Sequence, residues 1–261
     1  MTVKIAIIGG TGVYDPNILS DISEETVDTP YGRVKVKVGS YKGKRAAFMA
    51  RHGEDHSVPP HLVNYRANIY GLRVLGVKNI FATAAVGSLN MGMEPGNFVF
   101  MDQFLDFTKS RPQTFVEQGV VHLDMTDPYC PRLRGILREA AEKNILRYHT
   151  AGTYVCAEGP RFETPAEIRM FRQLGGDLVG MTSVPEVVLA REAQICYATI
   201  AMVTNFAAGI SKNKLSHQEV VEIMNENVHN LRTLVMNAIE ALDEDEPCEC
   251  REPLADPSAV K

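Results

Sequence analysis

The hydrophobic positions of this chain fall into short apolar runs separated by stretches of helical period. Residues 4–8, apolar after Lys4, run into Gly9-Gly10-Thr11-Gly12, a strand followed by a tight turn. Residues 26–50 alternate, with Gly32, Gly39 and Gly43 as punctuation, which predicts an antiparallel meander. Pro59-Pro60 opens a predicted helix through Asn64, Tyr65 and Asn68 to Leu75. Strands are expected at 79–84 and 97–104, followed by a long loop over 108–131 and an amphipathic helix over 132–144. A strand at 150–155, a helix ending near Leu174, a strand at 178–182 and a helix ending near Ala193 come next. Residues 196–203 form a continuous apolar run, the pattern of a strand buried on both faces. The last helix runs to about Leu242. Capping boxes are read at Thr164/Glu167, Ser183/Glu186 and Ser216/Glu219.

Alternating strands and helices with no repeat and no linker predict one α/β domain over residues 1–242. Residues 243–261 make an acidic, proline-bearing tail that is expected to be loosely ordered.

Composition narrows the function classes. The chain has 261 residues and a net charge of −5 with no basic run, so nucleic acid is not an expected partner. No apolar stretch approaches the ~18 residues of a spanning helix, and the N-terminus enters a strand without a cleavage site, so a cytoplasmic protein is expected. The five cysteines (130, 156, 196, 248, 250) follow no zinc spacing and no secreted framework. In a mesophile's cytosol they are expected to be free thiols, with Cys130/Cys196 and Cys248/Cys250 as candidate disulfide pairs in a hyperthermophile, and no metal site is expected.

Candidate chemistry lies where predicted strands end. Phe162 and Glu163 sit between the strand at 150–155 and the helix capped by Thr164, where open α/β sheets place ligands. A flat aromatic beside a carboxylate suits a heterocycle that donates a hydrogen bond. Thr11 offers a hydroxyl on a glycine turn, and Arg51 and His52 end the meander as donors for an oxyanion. Small residues at 84–88 expose backbone amides, and Thr182 stands at a helix N-terminus that favours an anion. Read singly, each has a plain alternative: a bare turn at Thr11, solvated charge at Arg51 and His52, an exposed first-turn histidine at His217.

Together the stretches resemble the purine nucleoside phosphorylase family, in particular its methylthioadenosine phosphorylase branch. The motifs are Ile7-Ile-Gly-Gly-Thr-Gly12, Ala50-Arg-His-Gly53, Val63-Asn-Tyr-Arg-Ala-Asn68, Ala85-Val-Gly-Ser88, Asp102-Gln-Phe104, Glu158-Gly-Pro-Arg-Phe162, Met181-Thr-Ser-Val-Pro-Glu186 and Ala201-Met-Val-Thr204. The resemblance implies a single α/β domain with a central twisted mixed sheet flanked by helices, the three-layer nucleoside phosphorylase fold. It implies a phosphate site from Thr11, Arg51, His52, Ala84, Ala85 and Thr182, with Ala84 standing where the branch usually carries threonine. Phe162 and Met181 would hold the purine and ribose. No metal or organic cofactor is implied, phosphate being a co-substrate. A homo-oligomer is implied, a trimer or dimer of trimers, in which the segment holding His122 reaches the neighbour's site near the sugar 5′ position.

Three departures from the branch bear on substrate. Its Asp-x-Asp pair is replaced by Asn205 and Ala207, Glu163 stands where adenine-type enzymes carry a small residue, and His217 replaces an apolar residue. An amide can pair with O6 and a protonated N7, a carboxylate can accept from N1–H, and an imidazole can bond a 5′-hydroxyl. Asn205, Glu163 and His52 are therefore the expected catalytic residues for phosphorolysis of inosine and guanosine in purine salvage. The alternatives are methylthioinosine or methylthioadenosine phosphorolysis, a nucleosidase that uses water, and a nucleotide-binding module without catalysis.

Overall fold

Strand β1 (Ile5–Gly9) is buried at every residue because it has a parallel neighbour on each side, β4 (Lys44–Ala50) and β5 (Asn79–Ser88). The expected meander is present: β2 (Ser20–Thr29), β3 (Gly32–Tyr41) and β4 are joined antiparallel. The computed structural model describes residues 2–10, 19–53, 55–119, 121–211 and 217–252. Thr11 and Ser216 lie outside these, as do the side chains of His217 and Glu219.

Beyond β5 come β6 (Phe98–Phe100), β7 (Gln103–Phe107), β8 (Tyr148–His149), β9 (Thr153–Ala157), β10 (Leu178–Gly180) and β11 (Cys196–Phe206). All belong to one mixed sheet, ordered β2-β3-β4-β1-β5-β10-β9-β7, with β11, β6 and β8 branching from β5. The helices are α1 (Tyr65–Val74), α2 (Pro131–Lys143), α3 (Pro165–Gln173), α4 (Ser183–Glu192) and α5 (His217–Ala241).

Helices cover both faces. Ile69 and Leu72 of α1 and Val187 and Leu189 of α4 bury one face with Ala6, Ile8, Ala82 and Ala201. Leu133 and Leu137 of α2 and Leu234 and Ile239 of α5 bury the other with Ile5, Ile7, Phe81 and Ile200. The continuous apolar runs of β1, β5 and β11 are what this double cover requires. α3 closes the end of the sheet, its Ile168 and Phe171 packed on Val155, Val179 and Ala207.

Several expectations are corrected. The proline pair makes only a short 3₁₀ turn, Pro60–Leu62, and α1 starts later because the Asn64 carboxamide caps it, accepting from the Ala67 amide at 3.1 Å. The apolar run expected as one strand at 97–104 is two. β6 pairs with β11, and the chain then crosses at Met101-Asp102 to run as β7 beside β9. The Thr164/Glu167 box is formed. The Ser183/Glu186 box is not: Ser183 bonds the Tyr129 hydroxyl at 2.7 Å, and Glu186 turns inward to Arg51. The tail is docked as far as Glu252, with Asp245 paired to Lys4 and Lys78 and an Arg251 guanidinium donating to the Glu246 carbonyl at 2.7 Å. The long loop before α2 is docked too. Arg111 donates to the Met181, Val184 and Glu158 carbonyls at 2.7–2.9 Å, and the Phe115 amide donates to buried Glu192 at 2.7 Å.

Candidate active site

β5 organises the site because its two edges are used differently. β11 pairs along one edge from Asn79 to Ser88. β1 and β10 share the other: β1 takes Asn79 to Ala82, and β10, antiparallel, takes Gly87 and Ser88. Residues 83–86 lie between them. The Thr83 carbonyl accepts from Arg51 Nη1 at 2.9 Å, whereas the Val86 carbonyl accepts from Thr204 on the β11 side at 3.2 Å. Strand alternation therefore turns the Ala85 amide to the open edge and the Ala84 amide to β11. Of the two alanines expected to offer backbone amides, only Ala85 faces the gap.

Three strand ends converge on it. β4 ends at Ala50, and the Arg51 amide continues its pairing by donating to the Gly9 carbonyl at 3.0 Å. β10 ends at Gly180, and its antiparallel register carries Met181 and Thr182 back past Ala85 and Ala84. Thr182 is the N-cap of α4, and its hydroxyl makes no capping bond. Its amide is not offered to an anion, as it donates to the Tyr154 hydroxyl at 3.1 Å.

The expected fork of Arg51 is partly occupied. Nε and Nη2 donate to the two Glu186 oxygens at 2.7 Å each, and Glu186, 0% exposed, also accepts from the Tyr197 hydroxyl at 2.7 Å. Burial alone would lower the Arg51 pKa, but the Glu186 charge and hydrogen bonds outweigh it and raise it. With the Thr83 bond, three of the five guanidinium N–H groups are placed among the described residues, leaving two for a ligand.

His52 is corrected more sharply. Its Nδ1 lies 2.8 Å from the Val58 carbonyl, which can only accept, so Nδ1 carries the proton. Burial, with Arg51 and His56 nearby, pushes its pKa down to about 4. At neutral pH the ring is uncharged and Nε2 is an acceptor, not the second donor expected. Because the folded pKa is depressed, the neutral ring supports the fold above about pH 6.5, and that support is lost as pH falls through about 4.

On the other side of β5, Asn205 is buried where β11 bulges between Val203 and Asn205. Nδ2 donates to the Phe206 carbonyl at 2.9 Å, which fixes the amide's orientation, and Oδ1, 2.8 Å from the Thr204 hydroxyl, shares its one proton with the Val86 carbonyl. One lone pair and one N–H remain. The carboxamide lies against Gly87, where a Cβ would stand 3.2 Å from Nδ2 and 3.3 Å from Val179. Ala207 is buried beside it.

The loop after β9 approaches this place. Gly159 packs on Met181, and Gly209, just beyond β11, packs on Pro165 at the start of α3, so the segment following Asn205 meets the one following Glu163. Phe162 is 47% exposed, and Glu163 is partly buried. Burial raises the Glu163 pKa above the ordinary carboxylate value. His122 is exposed on the long loop. His217 is the first residue of α5.

Tyr197 and Tyr154 carry no functional signal in the sequence, and Glu186 reads there only as a capping residue. A signal for Glu186 existed: α4 is apolar nearly all round, and a carboxylate inside such a helix needs a charged partner.

The phosphorylase superfamily model matches residues 4–240. A "Probable 6-oxopurine nucleoside phosphorylase" of Moorella thermoacetica is 59% identical over 251 residues, covering 95% of this chain and 96% of that protein. The 6-oxopurine nucleoside phosphorylase of Pyrococcus furiosus is 53% identical over 259 residues, covering 96% of this chain and 97% of that one. A solved methylthioadenosine phosphorylase from an antarctic soil metagenomic library superposes with a TM-score of 0.91 at 38% identity, covering 97% of this chain and 91% of that one.

Proposed function

The chain belongs to the phosphorylase superfamily, and we propose that it is an enzyme that cleaves the N-glycosidic bond of 6-oxopurine nucleosides with phosphate. The products are the free base and ribose 1-phosphate, and inosine and guanosine are the substrates. The reading is supported by the relatives at 52–59% identity, which bear 6-oxopurine names, while methylthioadenosine names stand further off. The observation that carries it is the Asn205 carboxamide seated on Gly87 with one donor and one acceptor unspent.

Phosphate would occupy the open edge of β5, held by the two remaining Arg51 N–H groups, the Ala85 amide and the Thr182 hydroxyl, with Thr11 added from the glycine turn. Hydrogen phosphate keeps one P–OH, and His52 Nε2 accepts from it. Phosphate then attacks C1′ from the α-face as the C–N bond breaks. The dianion beneath the ring stabilises the growing oxocarbenium charge. Asn205 donates to O6 and accepts from N7–H of the departing base, Glu163 accepts from N1–H, and Phe162 and Met181 cover base and sugar. His217 and a neighbouring subunit's His122 would close the 5′ end, in a trimer or dimer of trimers working in the cytoplasm. No metal or organic cofactor takes part in the reaction. Positioning and electrostatics supply the rate.

The test is base release from inosine, guanosine, adenosine and the two methylthio nucleosides, with and without phosphate. Release from inosine and guanosine that depends on phosphate is expected. Phosphate-independent release, or a preference for the methylthio nucleosides, would overturn the reading.

Glu163 gives a pH prediction. Its pKa is raised, so the ionised form is lost on acidification sooner than for an ordinary carboxylate, and kcat/KM for inosine falls through that raised value. Glu163→Gln should remove this acid limb and lower kcat/KM by ~10² or more. Burial disfavours the Glu163 charge at neutral pH, so the same variant should melt no lower than wild type. An acid limb that survives the substitution would assign it to another group.

A further inference from the structure

Four of the five cysteines, far apart in sequence, meet in space. Cys130 is the N-cap of α2, Cys196 opens β11, and Cys248 and Cys250 flank Glu249 in the docked tail. Their sulfurs all lie within 4.8 Å of one another, and those of Cys130 and Cys248 are 3.6 Å apart. Four thiolates around a zinc ion at 2.3 Å stand about 3.8 Å apart along each tetrahedral edge. The linear spacing hides this arrangement because the ligands come from three separate segments, only one of them a Cys-x-Cys pair.

We propose that Cys130, Cys196, Cys248 and Cys250 form a tetrathiolate metal site that takes zinc. The surroundings suit the charge. A tetrathiolate zinc centre carries two net negative charges, and two guanidiniums point at it. Arg251 Nε lies 3.4 Å from Cys196 Sγ, and Arg132 Nη2 lies 3.8 Å from the same sulfur. N–H donors to ligating sulfur are the usual outer partners of such centres. The four thiols release their protons as the metal binds. With four protein ligands no position is left for water, so the site is structural. It clips the tail to the start of α2 and the start of β11, remote from the open edge of β5.

The experiment uses the full chain, reduced with a phosphine, stripped with a chelator and then dialysed against zinc or cobalt(II). One zinc per chain should survive desalting. The cobalt form should show thiolate-to-cobalt charge transfer and the intense visible bands of tetrahedral coordination. The zinc form should melt several degrees above the stripped form, with kcat for phosphorolysis at ambient temperature unchanged. Cys248→Ser/Cys250→Ser, changed only in the tail, should lose affinity beyond the ~10–100-fold that loss of one outer partner costs. Reduced protein that retains no zinc and gives a cobalt spectrum without thiolate bands overturns the proposal. So does a tail variant that binds zinc as well as wild type.

Discussion

Arg51→Met is expected to abolish phosphorolysis and to destabilise the protein, and the two losses separate when Glu186 is changed as well. In the folded chain Glu186 is 0% exposed, and its charge is met by two Arg51 bonds of 2.7 Å. Removing one partner of such a pair leaves an uncompensated buried charge, which costs about 3–5 kcal/mol. Arg51→Met/Glu186→Gln should recover most of that, since glutamine keeps an acceptor for the Tyr197 hydroxyl without a charge. Activity should not return. Loss of a donor from an oxyanion site alone costs ~10²–10³ in rate, and Arg51 also supplies the only full positive charge assigned to the phosphate. Urea denaturation and phosphate-saturation kinetics on both variants make the comparison. A double variant that regains activity would show that Arg51 serves the fold alone. A single variant as stable as wild type would mean that Glu186 finds another partner.

Asn205→Asp is expected to reverse the preference between 6-oxo and 6-amino purines. The amide cannot rotate freely: its oxygen accepts from Thr204 and its nitrogen donates to the Phe206 carbonyl. An aspartate keeps the first bond and loses the second, placing a carboxylate oxygen against a carbonyl oxygen. It also loses the N–H directed at O6. A site built to hydrogen-bond a substrate group rejects the analogue lacking its complement by ~10⁴, because buried groups are left unpaired. The ratio of kcat/KM for inosine over adenosine should therefore fall by two orders of magnitude or more (about 3 kcal/mol). A gain on adenosine depends on the carboxylate accepting from the 6-amino group. An unchanged ratio would remove Asn205 from base recognition.

Much of this site is legible in the sequence, and the failures share one cause. Arg51 and Thr182 could be singled out because each follows an apolar run and thus ends a strand, and Asn205 because it replaces an aspartate of the family branch the chain resembles. Which strand lies beside which is not written in the periodicity. Residues 97–104 read as one strand because no glycine or proline interrupts them, yet the chain changes partner from β11 to β9 at Met101-Asp102. Ala84 and Ala85 read alike, and only the shared edge of β5 distinguishes them. Glu186 fits a capping pattern perfectly, and a long-range arginine outcompeted the local backbone for it. His52 was expected to donate because the carbonyl that takes its Nδ1 proton, at Val58, belongs to backbone with no signature of its own.

The gap in the pairing of β5 has one more consequence. A strand at the centre of a sheet is ordinarily the part of a protein slowest to exchange its amide hydrogens with water. Here the Ala84 amide is locked to β11, and that of Ala85, one residue along, has no strand among the described residues to shield it. The middle of the fold thus contains a position as labile as a sheet's rim, and whatever anion settles there completes the sheet as much as it fills a site.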